Sequence, residues 1–422
     1  MRHHSVRKII VFACSQLLFL AACGGGSGLL GNGSTGTGTG TGTGQNVATI
    51  NNTNAIQMEV DAGPSGESST QANIPYVSVT ICAPGSTTNC QTIDHMEVDT
   101  GSYGVRVIST VLNSSLLSAL TQETVTAGNL VECTQFGDGF SWGSMHLADV
   151  EMGTEKAASQ SIQVIGDPNY PTIPTTCSST GPEEDTVSTF GANGIIGVGP
   201  FVQDCGNCTE STQAAYYWAC PAGGGTCSQT EVLAAQEASN PVYFFTTDNN
   251  GVILELPSIS ASGAATVTGA LVFGVGTESN NALGSATVFT VDDNAFLDIT
   301  YNNIKYTEGI LDSGSNLDFF TDGSIATCGT SPNQVYCPAS TLSLSATVTG
   351  LNNNSETVNF SITNADTVFE ANPAFTAFNN VGAPTSQSEG FDFGLPFFYG
   401  RNVFVVIQGA TVTGGTGPLV AF

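Results

Sequence analysis

The chain has 422 residues, with 35 acidic and only 7 basic side chains, a formal net charge of −28 and 40% hydrophobic residues. So acidic a surface excludes nucleic acid and anionic membrane surfaces as electrostatic partners. The length and apolar fraction suffice for about two lobes, each with its own core.

Arg2, Arg7 and Lys8 precede an apolar run over residues 9–20 that closes on Leu20-Ala21-Ala22-Cys23. A basic start, a short apolar core and small residues predict a secretory signal over residues 1–22, shorter than a membrane span requires. The ending resembles the bacterial lipoprotein signal, in which the cysteine, here Cys23, is lipidated and becomes the first residue. Gly24 rather than Asp after it implies transfer to the outer membrane, with the protein facing the periplasm or the cell surface. Residues 24–44 are almost wholly Gly, Ser and Thr, so residues 23–45 read as a lipidated cysteine and a flexible tether. Three basic residues fall in the signal, leaving Arg106, Lys156, Lys305 and Arg401 against all 35 acids. That balance suits a protein that stays folded in acid, where carboxylates lose their charge.

From Asn46 onward the pattern is all-β. Val77, Val79 and Ile81 alternate with Ser78 and Thr80, and Val358, Phe360 and Ile362 alternate with Asn359 and Ser361. Apolar runs at 271–275, 288–291 and 403–407 read as further strands. Helical patterns are confined to 108–120 and 231–238. Two tetrapeptides stand out, Asp99-Thr100-Gly101-Ser102 and Asp312-Ser313-Gly314-Ser315, each after an apolar residue and before a strand, predicted at 103–109 and 316–320. A carboxylate on a tight Gly turn with a hydroxyl three positions on is half of an acid-protease dyad. Two such carboxylates held close cannot both ionise, so they share a proton, one acting as base and the other as acid. A second matched pair follows: Gly194-Ile195-Ile196-Gly197-Val198-Gly199 and Phe393-Gly394-Leu395-Pro396-Phe397-Phe398. Two related halves follow from this, an N-terminal lobe over 46–240 and a C-terminal lobe over 241–422, joined near Ser239 to Pro241.

Apart from Cys14 and Cys23, ten cysteines remain, an even number in an exported chain, which argues for disulfides. Close spacing suggests Cys82–Cys90, Cys205–Cys208, Cys220–Cys227 and Cys328–Cys337, which leaves Cys133–Cys177. Zinc at Cys205, Cys208, Cys220 and Cys227 is the alternative, disfavoured because thiolate sites are rarer in oxidising compartments.

With these residues the chain resembles the pepsin-type aspartic proteases, a bilobal fold of double-psi β-barrel lobes. Phe136-Gly137-Asp138-Gly139 resembles the flap hairpin that closes over substrate, and residues 251–276 resemble the opening hairpins of the second lobe. The chain is also similar to a family of bacterial exported lipoproteins of unknown function, through Asp94-His95-Met96-Glu97-Val98-Asp99, Gly191-Ala192-Asn193-Gly194 and Gly394-Leu395-Pro396-Phe397-Phe398. The resemblance to the proteases implies that Asp99 and Asp312 activate a water, that Ser102 and Ser315 hydrogen-bond the carboxylates, and that Thr100 and Ser313 link the two loops. Gly101 and Gly314 would allow close backbone approach. Three departures stand against it. Phe136 replaces the flap tyrosine, Arg106 stands where an aromatic buttresses that tyrosine, and the tether lacks the basic residues with which eukaryotic relatives mask their dyad.

Other chemistry is weaker. Gly139-Phe140-Ser141-Trp142-Gly143 matches the nucleophile elbow of serine hydrolases, but no histidine follows His146. Asp292, Asp293 and Asn294, or residues 248–251, lack full calcium-loop spacing and read as turns. Tyr216-Tyr217-Trp218 reads as packing beneath disulfides. The sequence therefore predicts a membrane-tethered aspartic endopeptidase acting on polypeptides, monomeric and without cofactor or metal. The alternative is a catalytically silent surface lipoprotein that uses the fold to bind a protein ligand; an inhibitor or decoy is a weaker third.

Overall fold

The computed structural model of the protein describes residues 47–65, 71–213, 216–223, 225–329 and 334–422. The expected signal, Cys23 and the tether lie outside the described residues. Strand Tyr76–Cys82 buries Val77, Val79 and Ile81 while Ser78 faces out. That period of two is what a sheet with one covered face selects. It pairs antiparallel with Cys90–Asp99, and a Cys82–Cys90 disulfide closes the hairpin.

Cys90–Asp99 delivers the chain to the first Asp loop, and Tyr103–Ile108 carries it away. Strand Gly194–Val198 threads between them, parallel to the first with Gly197 opposite Asp99, and antiparallel to the second with Gly197 opposite Gly104. All five of its residues are buried, so it reads as a continuous apolar run. A Cβ on Gly197 would lie 2.3 Å from the Tyr103 nitrogen, so only glycine lets the strands cross this closely.

The second half repeats the plan. Ile304–Leu311 leads into the Asp312 loop, Asp318–Phe319 leaves it, and Gly390–Phe393 runs parallel to the incoming strand and antiparallel to the outgoing one. The twice-built crossed unit, on an all-β chain with few short helices, is the bilobal pepsin-like architecture expected from the sequence. Phenylalanines fill the core of the second half: Phe320 stacks on Phe391 at 5.1 Å, and Phe393 lies 5.1 Å from Phe397.

Local differences from the sequence reading have local causes. After Gly394 the chain forms a short helix, Leu395–Phe398, rather than a strand. Pro396 sits in its first turn, where a missing N–H costs nothing. The predicted helix over 108–120 is broken into a 3-10 turn and Ser114–Ala119, because the Asn113 side chain caps a new start at the Leu116 N–H. Only a 3-10 turn, Ala234–Gln236, forms in 231–238, and only Asp318–Phe319 is strand in 316–320.

Among the described residues one sheet gathers 17 strands and another 7. The larger sheet crosses the junction expected near 240, because Ala55–Val60 pairs antiparallel with Val267–Phe273. Buried Asn73 adds a side-chain tie. Its Nδ2 donates to the Asn316 and Phe378 carbonyls at 2.9 Å, and its Oδ1 accepts from the Phe378 N–H and the Tyr399 hydroxyl. The four disulfides suggested by spacing are present, and so is the remaining Cys133–Cys177 bridge. The zinc alternative falls, since its four cysteines are bonded in two of those bridges. The bridges mark an oxidising, non-cytoplasmic compartment. No helix among the described residues is long and apolar enough to cross a membrane.

Gly197→Ala should destabilise the fold by about 1–3 kcal/mol, through overpacking against the Tyr103 backbone. Gly323→Ala is the control, because nothing lies within 4 Å of a Cβ added there; its effect should stay within about 0.5 kcal/mol. Urea denaturation of both variants measures the contrast, and equal midpoints would contradict it.

Candidate active site

The two loops meet at the boundary between the halves. Asp99 and Asp312 are both 0% exposed. Asp99 Oδ1 accepts the Gly101 N–H at 2.6 Å, and Asp312 Oδ1 accepts the Gly314 N–H at 2.8 Å. The two carboxyl groups lie close enough for the charge of Asp99 to act on Asp312. A Cβ on Gly101 would stand 2.7 Å from Asp312 Cγ, and one on Gly314 2.7 Å from Asp99 Oδ1. Each glycine thus leaves room for the opposite carboxylate. Burial, then the charges of Asp99 and Asp392, push Asp312 well above the usual carboxylate range. Two carboxyls held this close disfavour a state in which both are charged.

Crossed hydrogen bonds lock the loops. Thr100 Oγ1 donates to the Leu311 carbonyl at 2.9 Å and accepts the Ser313 N–H at 2.9 Å. Reciprocally, Ser313 Oγ donates to the Val98 carbonyl at 2.7 Å and accepts the Thr100 N–H at 3.1 Å. These hydroxyls therefore join the halves as the resemblance implied. The next serines differ. Ser315 Oγ lies 3.2 Å from Asp312 Oδ2, whereas buried Ser102 Oγ has no hydrogen-bond partner among the described residues. The expected support of Asp99 by Ser102 is absent, so the two half-sites are chemically unequal.

Phe136-Gly137-Asp138-Gly139 does form a hairpin loop, between strands Gly128–Gln135 and Phe140–Met152, closed by the Phe136 N–H on the Gly139 carbonyl at 2.8 Å. Phe136 is buried edge-on against Phe190 at 5.6 Å, among Ile74, Tyr76, Ile108 and Ile165. Arg106 supports the same hairpin by charge. Its Nη2 lies 2.6 Å from Glu132 Oε1 and its Nε 2.8 Å from Thr134 Oγ1, both on the strand that leads to Phe136. Asp204 adds a second carboxylate to Arg106 at 3.1 Å and accepts the Tyr217 hydroxyl.

Sequence reading missed several acids here. Asp138 hydrogen-bonds Glu184, and burial followed by Asp138 drives Glu184 far above its ordinary range. Glu97, two residues before Asp99, is raised by burial and then by Asp99 and Asp138. Asp392 reaches Ser315 from the strand Gly390–Phe393. An acid inside an apolar run, as in Phe391-Asp392-Phe393, was the one signal available for it.

The competing motifs resolve as structure. Ser141 is mid-strand, bonded to Gln163, with no helix after it. Ser144, not Ser141, meets His146, and it also donates to Asp167. Asp292 accepts the Asn294 and Phe296 N–H groups of its own turn, and Asp248 accepts from Thr277. Tyr216, Tyr217 and Trp218 are buried near the Cys205–Cys208 and Cys220–Cys227 bridges.

The chain belongs to the family described as Protein of unknown function (DUF3443), whose model matches residues 50–422. No curated protein matches it. Among solved structures, an aspartic proteinase from Irpex lacteus is similar at 16% sequence identity, with 87% of this chain and 96% of that chain covered and a TM-score of 0.47.

Buried acids give stability a definite pH dependence. Burial, partly offset by the Ser161 hydroxyl, pushes Glu123 up to about 7. Burial, partly offset by the Cys205 N–H, pushes Glu237 up to about 8. Both bind a proton more tightly folded than unfolded, so their contribution is complete below about pH 4.5 and is lost as pH rises through 7 to 8. Melting temperature should therefore fall between pH 5 and pH 8. Glu123→Gln with Glu237→Gln should flatten that slope. A melting temperature that is constant or rises over this range would contradict the assignment.

Proposed function

We propose that this protein is an aspartic-type endopeptidase in which Asp99 and Asp312 together activate a water against a peptide carbonyl. One observation carries the reading: two fully buried carboxyls are packed together across twin Gly turns that crossed hydroxyls hold in register. The charged member of the pair takes a proton from water as its oxygen attacks the carbonyl carbon. The protonated member gives its proton to the carbonyl oxygen. Collapse of the tetrahedral adduct breaks the C–N bond, and the leaving nitrogen takes the proton that the base had gained. No cofactor enters this scheme. The surface charge favours work in acid, on polypeptides.

In the same reading the folded lobes, 46–240 and 241–422, act as a monomer held by lipidated Cys23 and the tether at the outer membrane. Cys23→Ser should release the protein from the membrane fraction and abolish incorporation of labelled fatty acid; retention on the membrane would remove the anchor from the proposal.

A second reading is favoured by a specific observation. Both carboxylates are fully covered, and Phe136 of the hairpin carries no hydroxyl and is buried against Phe190. A catalytically silent lipoprotein that binds a protein ligand on the same scaffold fits those facts. Cleavage decides between the two. The soluble form lacking residues 1–45 should cut denatured protein between pH 3 and 7, and a transition-state-mimicking dyad inhibitor should stop it. Asp99→Asn or Asp312→Asn should each lower kcat/KM by about 10²–10⁴-fold. No cleavage by the wild type at any pH refutes the enzyme, and equal cleavage by Asp99→Asn moves the activity elsewhere.

A further inference from the structure

Strand Gly390–Phe393 buries Phe391 and Phe393 in the aromatic core, yet places Asp392 between them at 3% exposure. Its sheet neighbours are Ile310 and Phe319, which offer a carboxyl no side-chain partner. A buried acid in such surroundings persists only where a specific group meets it. That group is the Ser315 hydroxyl, 2.5 Å from Asp392 Oδ2 and 3.2 Å from Asp312 Oδ2. Asp392 Oδ1 has no hydrogen-bond partner among the described residues.

A serine hydroxyl has one proton to donate and two lone pairs. Placed between two carboxyls, it can donate to only one of them. If Ser315 donates to Asp312, then Asp392 must be protonated to complete the second bond. If Ser315 donates to Asp392, that carboxyl is the charged one, and Asp312 must carry the proton. The two states differ by a paired shift: the Asp392 proton passes to Ser315 Oγ as the Ser315 proton passes to Asp312 Oδ2. One proton changes carboxyl and the total charge is unchanged. The 2.5 Å contact lies in the range of charge-assisted O–H···O⁻ bonds.

We propose that Asp392 is a third carboxyl of the candidate site, coupled to Asp312 through the Ser315 hydroxyl, and that this relay sets the pH range over which the Asp99–Asp312 pair keeps one proton. The inference deepens the dyad reading and rests on it. Asp392 acts as a positioning residue, since it touches Ser315 and not the reacting atoms. The charged groups facing it are few. Asp99 and Asp312 lie on the two loops, Asp318 lies on the outgoing strand, and Arg401 acts on Asp318 from beyond. Burial raises Asp392, Ser315 lowers it, and Asp318 and Asp99 raise it further. Among the described residues Ser102 Oγ has no hydrogen-bond partner, so the relay belongs to the Asp312 side.

The test is carboxyl titration by ¹³C NMR on aspartate-labelled protein, run beside the pH profile of peptide cleavage. The variants are Asp392→Asn, Ser315→Ala, their double mutant and Ser315→Thr. The amide that Asp392→Asn introduces would donate to Ser315 and fix that hydroxyl on Asp312. The upper titration of the Asp99–Asp312 pair should then fall by about one pH unit, and the cleavage profile should move toward acid with it. In the Ser315→Ala background Asp392→Asn should shift the pair much less, the non-additivity expected of a shared hydrogen bond. Ser315→Thr keeps the hydroxyl, so Asp392→Asn should still shift the pair in that background, which separates the relay from loss of folding. Superimposable titrations of Asp392→Asn and wild type overturn the proposal, as do equal shifts with and without Ser315. Absence of cleavage by the wild type refutes the peptidase instead, and leaves the carboxyl titration to decide the relay.

Discussion

Two like-charged groups are buried against each other where the halves of this protein meet, and that is costly unless something compensates. The compensation is local and symmetric. Each carboxylate takes an N–H from the glycine two residues on, and each glycine leaves room for the opposite carboxyl. Thr100 and Ser313 then hold the loops by four crossed bonds, each of which pairs a backbone group that would otherwise be buried and unsatisfied. The rest of the architecture serves this meeting. The threaded strands Gly194–Val198 and Gly390–Phe393 fix where each loop begins. The strand pairing of Ala55–Val60 with Val267–Phe273 and the Asn73 bonds keep one half from sliding on the other.

Acidity runs through the molecule in two forms. On the surface it is a net charge that protonation relieves. Inside, it is a set of carboxyls held above their ordinary range chiefly by burial: Glu97 and Glu184 near the hairpin, Glu123 and Glu237 beneath the first half, Asp312 and Asp392 at the centre. Arg106 shows the opposite solution. There a fully buried guanidinium is matched by Glu132 and Asp204, and the ion pair braces the hairpin strand. A chain with so few basic residues can use that device rarely.

Much of this was legible from the residues in order. The paired Asp-hydroxyl-Gly-Ser turns, the alternating strands and the four close-spaced cysteine pairs all depend on neighbours within a few positions, or on a motif used twice. What was not legible depends on residues far apart in sequence. Nothing near Arg106 announces Glu132 and Asp204, and nothing near Phe136 announces Phe190. Ser102 and Ser315 occupy the same place in the same motif, yet only one finds an acid. The reason is that Asp392 arrives on a strand 77 residues away.

The sequence by itself determined the all-β class, the duplication and the two carboxylates, because turn chemistry, side-chain period and disulfide spacing are written locally. The tertiary structure alone decided that those carboxylates are packed against each other, that they lie wholly covered, and that their two half-sites are unequal. Protonation in a buried cluster is set by burial, distance and the number of donors within reach, and those exist only once distant strands have been brought together.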